Sequence, residues 1–559
     1  MAESGNRTAG VSEAELEAAR TAGVEVDNVG LAVLQVVRAY GVDTIFGIPG
    51  THNLEFYRHL ERLGIHPVTS RHEQGAGYAA DGWAQRTGLP GVVITTSGPG
   101  LLNALSAAGT AYCESRPMLI LAPGVARGAE FADIGSLHET KDQVTAAGAI
   151  VEWARRVQTA EEAIEAVHDA FALFGSSRPR PVYIEIPLDL LEGAAGIDQT
   201  LLAPRAASPA SEIDQEALAV VADLLAAATR PAILAGSGSI GARDSLQRLA
   251  ELLGAPVVTS LNGKGVIDEH HSLAIGSELR LEAARAVLNE SDALLVVGSK
   301  IGESELWGGV ISPSGSVVRI DILETQRHKN LPSTQALIGD ARSTIPALEA
   351  ALADRLSDAS PRTPHVDVEA VRAAAAAEAA AFAPIEHALA GRIARALPEN
   401  AIVAGDSSQI TYYGMTSQVR AREPHAFLYM AAYATLGYGL PAAIGAKLAS
   451  PDRPVVGVIG DGALMFSIQE FQTAVEQGID LTIVCVDNGG YGEIQQNEQD
   501  RGIAPVGVQL AQPNWPQLVE AFGGTGFAVR EQIELEPRIA DALATPGVTL
   551  VHVPLALFS

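Results

Sequence analysis

Residues 454–494 read PVVGVIGDGALMFSIQEFQTAVEQGIDLTIVCVDNGGYGEI, and their pattern decides the fold. Val455 to Ile459 is an unbroken apolar run, as expected of a strand buried on both faces of a parallel sheet. Gly460-Asp461-Gly462 stands where that strand ends. Ser467 to Gln477 places Ile468, Phe471, Ala474 and Val475 at helical spacing. Leu481 to Val486 is a second buried strand, delivering Asp487-Asn488-Gly489-Gly490. The pattern predicts a βαβ unit with polar groups at the carboxyl ends of both strands, where open α/β sheets place their ligands.

Asp461 and Asn488 are 27 positions apart, but adjacent parallel strands bring their ends together. A carboxylate, an amide oxygen and a glycine-exposed carbonyl make a hard oxygen site suited to Mg²⁺ that also carries substrate phosphates. The glycines let backbone approach a diphosphate closely, and the helix after Gly462 offers N–H groups and a positive dipole end. Gly-Asp-Gly alone also fits a bare strand-to-helix turn. Paired with Asp-Asn-Gly-Gly after the next strand, it reads as a metal and phosphate site.

The 559 residues exceed one core and suggest about three domains. Apolar residues make up 47% and charged residues 19%, the balance of a soluble globular protein, and no apolar run approaches the roughly 18 residues of a membrane span. A net charge of −28 argues against nucleic acid or an anionic membrane as partner. Residues 1–26 are acidic without a hydrophobic core, so they are expected to be a loose tail and not a signal peptide. Cys113 and Cys485 are the only cysteines, and Cys485 falls inside a buried strand; a disulfide framework is not expected, and the cytoplasm fits.

Toward the front, a helix and short strand over Val29 to Ile45 lead into Gly47-Ile48-Pro49-Gly50-Thr51-His52-Asn53, a turn whose polar end is a site candidate. Arg71-His72-Glu73-Gln74-Gly75-Ala76-Gly77 opens a helix with glycine and alanine crowding one face, which allows close packing; Glu73 could simply serve that helix's dipole. Val92 to Thr96 is a strand capped by Ser97-Gly98-Pro99-Gly100, and residues 117–123 and 181–187 are two more. A polar loop, 131–143, has no core period. In the middle, the strand at 231–234 meets Gly236-Ser237-Gly238-Ser239-Ile240-Gly241, a formal GxGxxG without an acidic residue about 20 positions on. Further on, Ser407-Ser408-Gln409 follows a strand, with hydroxyls suited either to diphosphate oxygens or to a helix cap.

RHEQGAG at 71–77, TSGPG at 96–100, the small-residue run Ala434 to Ala443, GDG at 460–462 and Asn488 occur in fixed order. With them the chain, from about Asp27 onward, resembles the thiamine-diphosphate enzymes of the acetolactate synthase superfamily. The resemblance implies three Rossmann-like α/β domains: pyrimidine-binding (27–195), central (212–352) and diphosphate-binding (385–559). A linker (196–211) and an alanine-rich connector (353–384) join them. It implies that Asp461, Asn488 and the Gly490 carbonyl hold Mg²⁺, and that Glu73 hydrogen-bonds the cofactor's pyrimidine nitrogen as a catalytic group. Thr51 and His52 are further catalytic candidates. Pro49, Gly50, Thr96, Ser97, Gly98, Ser407, Ser408, Gln409, Gly460, Gly462, Ala463 and Tyr491 are implied to line the cofactor. The Ala434 carbonyl would hold its amino group, and Leu436 would prop its bent shape. Glu73 of one subunit would meet the metal site of another, implying a homodimer with shared active sites, often a homotetramer. The implied substrate is a small 2-oxo acid.

Three departures matter. Asp487 replaces the first of two asparagines, and loop 131–143 lacks the Phe-Gln pair of acetolactate synthases, which puts that reaction in doubt. The central domain leaves FAD open without requiring it. PGTH at 49–52, LHETKDQ at 137–143, NGGYGEI at 488–494 and GIAPVGV at 502–508 are similar to 5-guanidino-2-oxopentanoate decarboxylases. Glu493 lies where acetolactate synthases carry an apolar residue, and a carboxylate there suits a guanidinium tail or is a surface carboxylate. Acetolactate synthesis is the alternative reaction, while a catalytically silent thiamine-fold protein and a nicotinamide oxidoreductase are alternatives of other classes.

Overall fold

The computed structural model describes residues 27–206, 212–358 and 360–559; the predicted N-terminal tail and part of the predicted linker lie outside these. Eighteen strands form three six-stranded sheets among the described residues, and every pairing is parallel.

The first sheet comprises β1 (Thr44–Gly47), β2 (His66–Thr69), β3 (Gly91–Ile94), β4 (Met118–Gly124), β5 (Trp153–Arg156) and β6 (Pro181–Pro187), in the order β2-β1-β3-β4-β6-β5. The third comprises β13 (Ile402–Gly405), β14 (Phe427–Leu428), β15 (Val455–Gly460), β16 (Leu481–Asp487), β17 (Thr525–Ala528) and β18 (Val548–Pro554), in the order β14-β13-β15-β16-β18-β17. Counted from its own first strand, each has the order 2-1-3-4-6-5, so the outer domains repeat one topology. The middle sheet differs: β7 (Pro231–Ala235), β8 (Val257–Thr259), β9 (Ala274–Gly276), β10 (Ala293–Val297), β11 (Ser316–Asp321) and β12 (Gln335–Ile338) run β12-β11-β10-β7-β8-β9. Read from its other edge this is 3-2-1-4-5-6, the order of dinucleotide-binding sheets.

The central strands β4, β6 and β16 are buried almost throughout, as their apolar runs predict. One continuous core joins the two outer domains. Its seam is helix Glu73–Thr87 against helix Gly439–Ala449. Side chains at Gly82 and Gly445 would collide with the carbonyls of Ala442 and Ala79, so the two backbones touch where both sequences are smallest.

Some boundaries move. The helix predicted from Ser467 begins at Glu470, because a separate turn, Asp461–Leu464, already starts at the carboxyl end of β15. The stretch after Gln409 is a π-helix, Ile410–Met415. The GxGxxG segment is a 3₁₀ turn, Ser237–Ala242. Helix Val368–Phe382 occupies the alanine-rich connector. Both cysteines are free, and no helix among the described residues is long and apolar enough to cross a membrane.

Candidate active site

β15 and β16 are neighbours with Gly460 opposite Val486, so Asp461 and Asn488 leave the sheet side by side. Asp461 is almost wholly buried, and burial, reinforced by the nearby Asp487 charge, pushes its carboxyl up to about 6. Asn488 Oδ1 lies 3.0 Å from Asp461 Oδ1 and 2.9 Å from the Gly490 carbonyl oxygen. Three oxygens therefore converge with no hydrogen between them. An octahedral Mg²⁺ with oxygen ligands at about 2.1 Å sets adjacent ligands about 3.0 Å apart, so this set fits the ion.

Turning the Asn488 amide over would hydrogen-bond the cage shut, but the surroundings oppose it. Asn488 Nδ2 donates to Gln409 Oε1 at 3.0 Å, and Gln409 Nε2 donates to Glu493 Oε2 at 3.2 Å. The Glu493 carboxylate only accepts, so Gln409 must offer it nitrogen, and Asn488 must then offer its own nitrogen to Gln409. The oxygen of Asn488 is left for the cage. Gly490 sits at φ 141°, and a side chain there would strike the Val508 carbonyl, which explains a glycine at this ligand position. Asp487 stands outside the cage: its Oδ2 lies 2.9 Å from His552 Nε2 on β18.

Around the cage is a cavity of about 290 Å³. Ser407, Ser408, Gln409, Ala434, Leu436, Gly460, Gly462, Ala463 and Tyr491 line it together with Asp461, Asn488, Gly490 and Glu493. Ala434 holds a left-handed backbone at φ 51°. The turn around Leu436 is pinned by Asp406, whose buried carboxylate accepts N–H groups of Gly437 (3.2 Å) and Gly439 (2.7 Å). Burial pushes Asp406 up to about 6.

The front half of the chain builds a second constellation. Glu73 begins its helix and is buried; Asn103 Nδ2 donates to its Oε2 at 3.0 Å, and its Oε1 accepts nothing among the described residues. Glu470, from the third domain, fastens the start of that helix by accepting the N–H groups of Arg71 (3.1 Å) and His72 (3.0 Å). Gly50 packs on Thr96, next to Pro49 in the turn, and Gly98 is held through its N–H by Gln143 Oε1 at 3.0 Å. His52 Nδ1 lies 2.7 Å from Ser97 Oγ, and its ring meets His138 edge-on at 5.2 Å. Burial lowers the His52 pKa, and His138 lowers it further. His52, Ser97 and His138 line a cavity of about 300 Å³ floored by the 124–144 loop; exposed Thr51 is not part of its wall. This cavity and the one around Asp461 share no residue.

The model for the N-terminal thiamine pyrophosphate binding domain of thiamine pyrophosphate enzymes matches residues 27–146, that for the central domain 218–348, and that for the C-terminal binding domain 409–553. The chain belongs to the thiamine pyrophosphate enzyme family. Among its relatives, a probable 2-ketoarginine decarboxylase of Pseudomonas aeruginosa is 37% identical over 525 residues, covering 94% of this chain and 93% of the relative. A probable acetolactate synthase large subunit of Methanocaldococcus jannaschii is 30% identical over 538 residues, covering 92% and 89%. The acetolactate synthase isozyme 1 large subunit of Escherichia coli is 29% identical over 537 residues, covering 93% and 92%.

For a thiamine pyrophosphate enzyme the sequence reading omitted several groups. Gln512 Nε2 donates to Asp461 Oδ2 at 2.7 Å and comes from a loop with no motif. Asn103 lies one helical turn beyond TSGPG. His138 stood inside the LHETKDQ stretch of the polar loop, but it was not singled out as a site residue. Glu386, at the start of helix Pro384–Ala396, lines the Asp461 cavity and carried no signal. The central glycine turn spends its N–H groups on the protein: Gly236 donates to the Val297 carbonyl (2.8 Å), Gly238 to Gly298 (3.1 Å) and Ser239 to Gly236 (3.0 Å). Those three N–H groups are not free for a flavin diphosphate, while Ser237, Gly238, Ile240 and Gly241 line a cavity of about 390 Å³.

Proposed function

We propose that this chain is a thiamine-diphosphate- and Mg²⁺-dependent decarboxylase of a 2-oxo acid with a guanidino tail, 5-guanidino-2-oxopentanoate or a close homologue, working in the cytoplasm. The observation that carries the cofactor assignment is the convergence of Asp461, Asn488 and Gly490 oxygens beside a cavity lined by Leu436. The substrate class is supported by the name of the Pseudomonas relative and by Glu493 in that cavity wall.

When bound, thiamine diphosphate supplies the electron sink for the carbon that loses carbon dioxide. Asp461, Asn488 and the Gly490 carbonyl would hold the Mg²⁺ for the diphosphate, with Gln512 and Gln409 keeping the two side chains in place. Ser407, Ser408 and the backbone of Gly462 and Ala463 would meet its oxygens, and Leu436 and the Ala434 carbonyl would hold the rest of the cofactor. Glu73, fixed on one oxygen by Asn103, uses the other to hold a proton at the pyrimidine nitrogen. His52, oriented by Ser97, is the proton donor and acceptor facing the substrate. Thr51 stands beside it.

Two cavities with no common residue support a homodimer in which Glu73 and His52 of one protomer complete the Asp461 half-site of another. Acetolactate synthesis is the second reading; it is favoured only by the more distant synthase relatives. Carbon dioxide and aldehyde release from a panel of 2-oxo acids, with and without an acceptor aldehyde, tests the proposal. Turnover of the guanidino acid to the aldehyde with a requirement for thiamine diphosphate and Mg²⁺, lost in Glu73→Gln, is expected. Condensation of pyruvate as the main reaction would overturn it.

A further inference from the structure

A cavity that receives a diphosphate and the carboxylate of a 2-oxo acid should offer positive charge beyond its metal. The one around Asp461 does the opposite. Its wall carries three carboxylates, Asp461, Glu386 and Glu493, and among the lining residues of this chain there is no lysine, arginine or histidine. Asp461 belongs to the metal. The other two have no countercharge within that wall.

Glu493 is held for use rather than neutralised. Its Oε2 takes three donors, Gln409 Nε2 (3.2 Å), Tyr412 Oη (3.3 Å) and Tyr413 Oη (2.7 Å), whereas Oε1 has only a long contact with Asn497 Nδ2 (3.4 Å). Both tyrosines sit on the π-helix Ile410–Met415, a winding that recurs at functional sites. The Glu386 side chain makes no hydrogen bond or ion pair among the described residues. The Tyr413 hydroxyl stands within the field of both carboxylates; after burial they push its pKa up, with the Arg280 charge opposing them from outside the cavity wall. Tyr412 and Tyr413 meet edge-on at 4.6 Å, and Tyr412 shares the cavity wall, offering an aromatic surface beside the charges.

We infer that Glu386 and Glu493 form the two jaws of a guanidinium subsite, and that Glu386 is a specificity-determining residue of this enzyme. The inference rests on the proposed decarboxylation for its location and adds the group that selects the tail. A planar guanidinium presents five N–H donors in a fork, enough to engage the free oxygen of Glu493 and the carboxylate of Glu386 together. A neutral tail leaves both charges in the cavity without a partner, and such a site discriminates strongly against analogues that lack its hydrogen-bonding group.

The test compares 5-guanidino-2-oxopentanoate with 5-ureido-2-oxopentanoate, equal in shape but uncharged, on the holoenzyme. The wild type is expected to favour the guanidino acid in kcat/KM by at least about tenfold, chiefly through KM, and Glu386→Gln to reduce that ratio by about tenfold or more. Glu493→Gln should reduce it too, with weakened Mg²⁺ binding as a separate effect through Gln409. An unchanged ratio in Glu386→Gln, with a lowered melting temperature only, would assign Glu386 to the helix dipole and overturn the inference. Calorimetric binding of L-arginine against L-citrulline to the same holoenzymes reads the subsite without turnover. An arginine preference lost in Glu386→Gln upholds the subsite even if no 2-oxo acid is decarboxylated, a result that would instead sink the proposed reaction. Equal binding of the two amino acids by the wild type would overturn the subsite.

Discussion

Under the proposed function Asn488 would serve Mg²⁺ only while its amide faces one way, and Gln409 and Glu493 decide which way that is. Replacing Gln409 by Leu removes the acceptor that holds Asn488 Nδ2, so the amide can turn and close the cage on Asp461. The half-saturating Mg²⁺ concentration is expected to rise by up to about tenfold, the worth of one neutral hydrogen bond at the upper end of its usual range, measured by titrating activity or intrinsic fluorescence with Mg²⁺. Asp406 gives a pH prediction. Its folded pKa, raised by burial to about 6 from an unfolded value of 3.8, means the folded state holds a proton the unfolded state has already lost. Its contribution to stability is full below about pH 4, falls as pH rises to 6, and is flat above, a change of about 3 kcal/mol at most. Asp406→Asn should therefore lose less stability than wild type between pH 4 and 6 in denaturant titrations. Asp461 and Asn488 stood out as site candidates because backbone grammar announces them (strand, turn, glycine), whereas Glu73 was singled out only by the resemblance of the RHEQGAG run. Gln512, Asn103 and Glu386 were not, because each reaches its partner from a remote loop or helix, and one chain's residue order holds no trace of that approach.

At the scale of elements, apolar runs located β3, β4, β6, β7, β15 and β16 to within two residues, since a strand buried on both faces has little freedom in composition, whereas edge strands such as β2, β5, β9 and β17 gave no such run. The π-helix 410–415 was invisible: one extra residue per turn is set by what its tyrosines bond to, not by periodicity. Helix Glu73–Thr87 was expected to pack closely on something, and that something is helix Gly439–Ala449. Gly445→Val places a branched side chain against the Ala79 carbonyl and should cost about 3 kcal/mol, read as a lower denaturant midpoint at unchanged slope. Loss of activity should run ahead of loss of fold, because the displaced helix carries Glu73 at its first position.

Across the whole molecule, buried Arg116 joins all three domains. It pairs with Asp81 of the first, donates to Asn262 Oδ1 of the second at 3.1 Å, and to the Tyr429 carbonyl of the third at 2.7 Å. One side chain thus ties the three domains of a chain together, and under the proposed function a complete site draws Glu73 from one copy and Asp461 from another. That geometry makes a quantitative demand. Glu73→Gln and Asp461→Asn homodimers should each be inactive. In a mixed dimer one site carries both substitutions and the other carries neither, so one of two sites works. Random reassortment of equal amounts makes half of all dimers mixed, and activity should return to about a quarter of wild type. Subunits exchanged after mild denaturation and assayed for carbon dioxide release supply the measurement. If sites were assembled within one chain, each mutant chain would keep a damaged site whatever its neighbour, and mixing would restore nothing.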